Sequence, residues 1–209
     1  MSQFTYENAN VQSKRETYEW DNTWIEQTAK SDARRVLYIG DSISCGTRRV
    51  ATARSEGRVL FDGFGTSKAL DNPYFQASVS LFAKQVPYVD AVIFNNGLHG
   101  WHLEDESEYR TYYEQIVRFL LDEFGSLPVY LVLTTTVRDE VREARVQVRN
   151  RVVREIAEKY SLPLIDLYGT SVEKVDLRSG DGVHYTADGY ACFADCILQT
   201  LQFPNESAE

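Results

Sequence analysis

The chain has 209 residues, 25% of them charged and 43% hydrophobic, with a formal net charge of −9. That length supports one sizeable core, and the balance excludes a disordered or membranous chain. The acidic surplus argues against nucleic acid, whose phosphates demand a basic footprint, and no apolar run approaches the length of a membrane span.

Residues 1–30 stand apart from the rest of the chain. Met1 to Glu7 is polar and lacks the basic-then-apolar pattern of a signal peptide. Tyr18, Trp20, Trp24 and Ile25 sit among polar neighbours, as expected of an extension that packs its aromatics onto the domain or onto a partner subunit. That leaves a homo-oligomer open. From residue 31 to 209 the chain reads as a single domain in which short apolar runs alternate with longer amphipathic ones, the pattern of βαβ units. Strands are predicted at Val36–Ile39, Val59–Phe61, Ala91–Phe94, Val129–Thr134 and Pro163–Leu167. Helices are predicted near 43–55, 73–86, 107–124, 140–160 and 187–202. In the fourth helix Val141, Ala144, Val148, Val152, Ile156 and Tyr160 form an apolar stripe. Thr186 is placed to cap the last helix, and Asn205 to Glu209 reads as a frayed tail. Cys45, Cys192 and Cys196 are an odd number, the last two in a helical stretch, and read as reduced thiols. The cytoplasm is therefore the expected compartment.

Five parallel strands with flanking helices place a ligand at the strands' carboxyl ends. Ser42, Gly65, Gly97 and Thr135 all fall at such ends, and His184 follows the last strand. The first strand runs directly into Gly40-Asp41-Ser42, and the far end of the chain carries Asp181-Gly182-Val183-His184. A serine on a sharp strand-to-helix turn meets free helix N–H groups, and an acid and a base three residues apart lie far downstream. These are the parts of a Ser-His-Asp hydrolase.

Gly40-Asp41-Ser42 and Asp181-x-x-His184 resemble the first and last blocks of the SGNH (GDSL) hydrolase family, and the resemblance spans roughly residues 34 to 202. It implies a three-layer α/β/α, flavodoxin-like fold with a five-stranded parallel sheet in the order 2-1-3-4-5. It also implies Ser42 as nucleophile, His184 as base and Asp181 as the acid that orients it. The family's middle blocks complete an oxyanion hole with the nucleophile's own N–H. For the second block the chain offers Gly63 or Gly65, of which Gly65 is preferred because Thr66-Ser67 follows it. The third block usually reads Gly-x-Asn-Asp. Here Asn95-Asn96-Gly97-Leu98-His99-Gly100 follows the strand, and aligning Gly97 puts His99 where the family has its asparagine. His99 as a neutral donor, or Asn95 or Asn96 from just upstream, can serve instead.

The remaining candidates are weaker. His102 reads as an exposed loop residue. Thr134-Thr135-Thr136-Val137-Arg138 ends the fourth strand, so Thr135 and Arg138 are candidate contacts for a polar substrate such as a sugar. β-propensity threonines and an Arg138–Asp139 pair account for the same residues equally well. Asp166 is a rival triad acid at the end of the fifth strand. Arginines between 142 and 154 interleave with glutamates and read as helical charge pairing. No metal-ligand spacing appears, and no cofactor is expected. The expected activity is acyl transfer on a small-molecule or carbohydrate ester, releasing a short acyl group such as acetyl. The rivals are a thioesterase or lysophospholipase on longer acyl chains and a catalytically silent binding module on the same fold.

Overall fold

The computed structural model of the chain describes residues 16–203; the first half of the expected extension and the expected tail from Asn205 lie outside them. The central strand β2 (Arg34–Gly40) carries Val36 and Tyr38 towards one face and Leu37 and Ile39 towards the other, all buried. A strand apolar on both faces must be covered on both, which is what a parallel sheet between two helical layers provides. Strands β3 (Val59–Thr66), β4 (Ala91–Phe94), β5 (Val129–Val132) and β6 (Leu164–Ile165) complete a parallel array in the order β3-β2-β4-β5-β6, which is the expected 2-1-3-4-5.

The sheet has six strands rather than five. Strand β1 (Asp21–Trp24) comes from the N-terminal extension and adds itself antiparallel to β3, with Asn22 opposite Gly65. Its sequence, Asp-Asn-Thr-Trp, has no apolar alternation and is exposed throughout, so nothing in its composition marked it as a strand. The free backbone edge of β3 recruits it. A buried ion pair holds the junction: Arg35 bonds both oxygens of Asp62 at 2.9 Å and the carbonyls of Glu26 and Gln27 at 2.8 Å, while Asp62 also accepts the Glu26 N–H at 2.7 Å.

Helices α2 (Phe75–Ala83), α3 (Glu106–Phe124) and α4 (Glu140–Tyr160) cover the face that holds Leu37, Ile39, Val92, Phe94 and Leu131. Helices α1 (Ser42–Arg54) and α6 (Ala187–Thr200) cover the opposite face, with Val36, Tyr38, Phe61, Ile93 and Phe193 at its centre. Burying one such side chain is worth about 1.5–3 kcal/mol. Thr186 caps α6 as expected, accepting the Gly189 N–H. Several expectations need correction. The strand predicted at Val59–Phe61 runs on to Thr66, the one predicted to reach Thr134 stops at Val132, and Tyr18, expected to pack, is exposed. The strand predicted to reach Leu167 stops at Ile165, because Asp166 caps a short helix α5 (Leu167–Glu173) by accepting the Gly169 N–H. The stripe on α4 is right only in its second half: Val141 and Ala144 are not buried, while Val146, Arg149, Asn150, Val152, Val153 and Ile156 are. A buried arginine is invisible to a search for apolar periodicity. Among the described residues no helix is long and apolar enough to cross a membrane.

Candidate active site

Ser42 opens α1 at the carboxyl end of β2, the middle of the sheet. Asp41 caps the helix: its carboxylate accepts the Ile43 N–H at 2.8 Å, and its carbonyl accepts that of Cys45 at 3.1 Å. The Ser42 N–H takes part in neither bond and stands at the positive end of the helix, free for an incoming negative oxygen. His184 brings its Nε2 to 2.8 Å from Ser42 Oγ, and its Nδ1 lies 2.7 Å from Asp181 Oδ2. The other Asp181 oxygen accepts the Val183 and His184 N–H groups at 2.9 Å each and the Ser179 hydroxyl at 2.8 Å. The Val183 N–H first, then the His184 ring and backbone and the Ser179 hydroxyl, hold the Asp181 carboxyl far below the usual carboxylate range.

Ser42, His184 and Leu98 share a cavity of about 320 Å³ whose other lining includes His99, Trp101, Arg142 and Val183. Arg138 does not line it. Its guanidinium bonds the carbonyls of Gly180 at 2.9 Å and Ser179 at 3.3 Å, and its backbone N–H donates to the Gly182 carbonyl at 2.8 Å, so it braces the turn that carries Asp181 and His184. It does not pair with Asp139, which caps α4 instead. Thr135 is buried, with a hydroxyl that meets no partner, beside a small interior space behind the nucleophile. Asp166, the rival acid, is occupied with the cap of α5 and with Arg154 at 3.2 Å.

Three of the expected oxyanion donors are engaged elsewhere. The Asn96 amide donates to Lys68 O at 3.1 Å and is not on the cavity lining. The Asn95 amide donates inwards, to Val132 O at 2.8 Å and Thr134 Oγ1 at 3.1 Å. Gly65 lies inside β3, between β1 and β2, away from the cavity lining. Ser67 donates to Trp20 O on the β1 side, and strand alternation turns the Gly65 N–H to that same neighbour. Its missing side chain has another use: a Cβ there would collide with Cys45 Sγ. His99 remains. It sits on the loop after β4, lines the cavity, and meets the edge of the Trp20 ring at 5.9 Å between centroids. Gly97 makes that loop possible, since its φ is +63° and a side chain would collide with Asp41 Oδ2.

Three residues of the site carried no signal of their own in the sequence. Arg149, 2% exposed on α4, reaches into the 97–103 loop and donates to the carbonyls of His99 and Gly100 at 2.7 Å and of Gly97 and Leu103 at 3.4 Å. Its guanidinium also lies 4.5 Å from the centre of the Tyr109 ring. Glu16 places its two carboxylate oxygens 3.0 and 3.1 Å from His99 Nδ1 and accepts the Gly100 N–H at 3.3 Å. Burial opposes charge on the His99 ring, but the Glu16 hydrogen bond, with the nearby charges of Asp41 and Glu16, outweighs it and raises the pKa. Trp101 is flanked by the Arg142 and Arg145 guanidinia, 4.8 and 5.0 Å from the ring centre. His102, expected to be exposed, is partly buried and pairs with Asp71 at 2.8 Å. Among the described residues no three His, Cys, Asp or Glu side chains are grouped to hold a metal ion.

No protein-family model matches the chain, and no curated protein matches it. Solved structures do. An acetyl xylan esterase superposes with a TM-score of 0.63 at 17% identity, covering 80% of this chain and 100% of its own. A member of the lipolytic G-D-S-L family from Veillonella parvula gives 0.65 at 17% identity, covering 80% of this chain and 97% of its own. A lipase/acylhydrolase from Enterococcus faecalis gives 0.62 at 18% identity, covering 79% and 94%. At these identities what is shared is the α/β/α fold.

Proposed function

We propose that the protein is a serine ester hydrolase that removes short acyl groups, acetyl foremost, from a small or carbohydrate ester. The observation that carries this reading is the unbroken chain from Ser42 Oγ through His184 to Asp181, at 2.8 and 2.7 Å, on the edge of a cavity. His184 Nε2 takes the hydroxyl proton as Ser42 Oγ attacks the carbonyl carbon. Asp181 keeps the other ring proton on Nδ1 and stabilises the imidazolium. The Ser42 N–H and the His99 side chain meet the developing oxyanion. Collapse breaks the bond to the alcohol, which leaves with the proton from His184. A water molecule, deprotonated by His184, then attacks the acyl-serine and releases the acid.

A cavity of about 320 Å³ lies near the lower end of ligand pockets, roughly 300–1,000 Å³, which favours a short acyl group beside Leu98 and Val183. Trp101 and Arg142 on the same lining suit a polar alcohol such as a sugar. The fold shared with an acetyl xylan esterase points the same way. The test is labelling with a fluorophosphonate, followed by p-nitrophenyl esters of increasing acyl length. Ser42 is expected to be modified, and acetate to turn over fastest. Faster turnover of the octanoate moves the reading to a lipase or thioesterase, and an unlabelled Ser42 leaves a silent binding module.

A further inference from the structure

The hydrogen bond between Glu16 and His99 constrains what His99 can do. Both Glu16 oxygens face Nδ1, at 3.0 and 3.1 Å, and a carboxylate only accepts, so the ring's hydrogen lies on Nδ1. A neutral ring with its hydrogen there presents a bare lone pair at Nε2. Such a ring can accept a hydrogen bond at Nε2 but cannot give one. His99 nevertheless lines the same cavity as Ser42 and His184, and its Nε2 bonds to no described residue. If this side chain stabilises an oxyanion through Nε2, it does so as an imidazolium. The sequence-based expectation of a neutral donor is then replaced by a charged one.

We propose that Glu16 is a positioning residue that holds His99 doubly protonated and aims its Nε2–H at the oxyanion, so that the segment preceding β1 is part of the active site. The proposal rests on the esterase reading of Ser42. The charges around His99 are consistent with it. Glu16 from the N-terminal segment and Asp41 from the start of α1 favour the cation, Arg149 from α4 opposes it, and Asp181, His184 and Arg142 lie on the same cavity. On this proposal the oxyanion meets His99 as a cation throughout, and His184 as one once it has taken the serine proton, both on the same cavity lining. A negative charge facing two cations in a partly desolvated site is well matched.

The anchoring of the segment is also built. Trp20 exchanges bonds with Ser67, donating to its hydroxyl at 2.8 Å and accepting its N–H at 3.1 Å, and Trp20 packs edge-on against His99. Glu16 lies four residues before that anchor, and its side chain is 20% exposed.

The experiment is a pH profile of kcat and KM on p-nitrophenyl acetate for the full chain and for Glu16→Gln, His99→Asn and the double variant, with nitrogen NMR of the His99 ring. Because the cation exists below the His99 pKa, activity is expected to fall as pH rises through it. Glu16→Gln should lower kcat about tenfold or more with little change in KM, and move that alkaline fall to lower pH. In His99→Asn, whose donor does not titrate, the alkaline fall should vanish and the added Glu16→Gln change should cost nothing further. The NMR titration of His99 should drop in Glu16→Gln whether or not turnover is measured. The proposal is overturned if Glu16→Gln matches the full chain in kcat and profile, or if its cost persists undiminished beside His99→Asn, which would mark a merely structural contact. Absence of hydrolysis together with absence of Ser42 labelling brings down the esterase reading itself, and the proposal with it.

Discussion

Arg149→Met is the most informative perturbation of the scaffold, because the guanidinium is the largest single constraint on the loop that carries His99. Its two short bonds, 2.7 Å to the carbonyls of His99 and Gly100, are charge-assisted and worth about 1.5–3 kcal/mol each. The two at 3.4 Å, to Gly97 and Leu103, add little. Against this stands desolvation, several kcal/mol for a cation this deeply buried, which methionine does not incur. The net loss of stability should therefore be about 1–3 kcal/mol, well short of the sum of the bonds. The loss of activity should be larger in proportion. With the loop carbonyls released, the His99 ring loses its fixed position, and a missing oxyanion donor costs about 10²–10³ in kcat. Arg149→Lys separates the two effects, since an ammonium keeps the buried charge but cannot span the same carbonyls. It should lose at least as much stability as Arg149→Met. The assays are urea unfolding and kcat on p-nitrophenyl acetate. An Arg149→Met variant within twofold of the unmodified chain in kcat would refute the reasoning, because the loop would then hold its shape without the guanidinium.

Ser42→Ala should fold normally, judged by an unchanged thermal midpoint, and retain less than a few per cent of hydrolysis; more than that removes Ser42 from the role of nucleophile. Asp181→Asn should lose several orders of magnitude in kcat by disturbing the His184 tautomer. Since the backbone and side-chain donors hold the Asp181 carboxyl far below its usual range, that group does not protonate at the mildly acidic pH where activity is measured, and the acid limb of the unmodified chain should not report it. His99→Ala should depress kcat about 10²–10³-fold, and His99→Asn should recover part; activity intact in His99→Ala but crippled in Asn95→Ala would move the donor to Asn95. Asp62→Ala leaves the Arg35 guanidinium buried without its counter-ion and should cost about 3–5 kcal/mol in urea unfolding, whereas a value below about 1 kcal/mol would mean that the carbonyls of Glu26 and Gln27 suffice.

The strands and the meeting of Ser42, Asp181 and His184 were legible because aliphatic runs long enough for a strand, a serine at a strand end and an acid and base three residues apart are local patterns, whereas the strand order came from the family resemblance. What stayed illegible depends on pairing across the fold. β1 exists because β3 offers an unpaired edge and because Arg35 and Asp62 are both fully buried, and neither condition can be read from Asp-Asn-Thr-Trp. Arg149 looked like one of the solvated charges of α4, several of which do pair at the surface: Arg151 meets Glu106, and Glu155 meets Arg110 of α3. Only the turn of the helix puts Arg149 inward. Thr135 and Arg138 were drawn towards the cavity by their place after a strand, but Thr135 is buried inside and the carbonyls of the 179–182 turn hold the Arg138 guanidinium. Glu16 lay outside every motif, in a segment whose composition suggested only packing.

Two of the buried arginines, Arg35 and Arg149, share a logic that bears on how this site keeps its shape. Each directs its guanidinium to backbone carbonyls, Arg35 to Glu26 and Gln27 and Arg149 to His99 and Gly100. Buried charges of this kind add little net stability, since desolvation cancels much of what they gain. They do select one arrangement, because a planar fork with five donors is satisfied only when the carbonyls converge on it. The segments they gather are irregular ones, the strap before β2 and the loop after β4. His99 stands where those segments meet, held by Arg149 through its carbonyl and by Glu16 through its ring. Ser42 needs no such help, and His184 receives it only indirectly, through the Arg138 guanidinium on the carbonyls of Ser179 and Gly180. One begins a buried helix at the centre of the sheet, and the other is fixed by a carboxylate that already accepts three further bonds. The precision of the oxyanion side is therefore electrostatic and polar in origin, and it should fail before the triad does when the protein is strained by urea or by substitution.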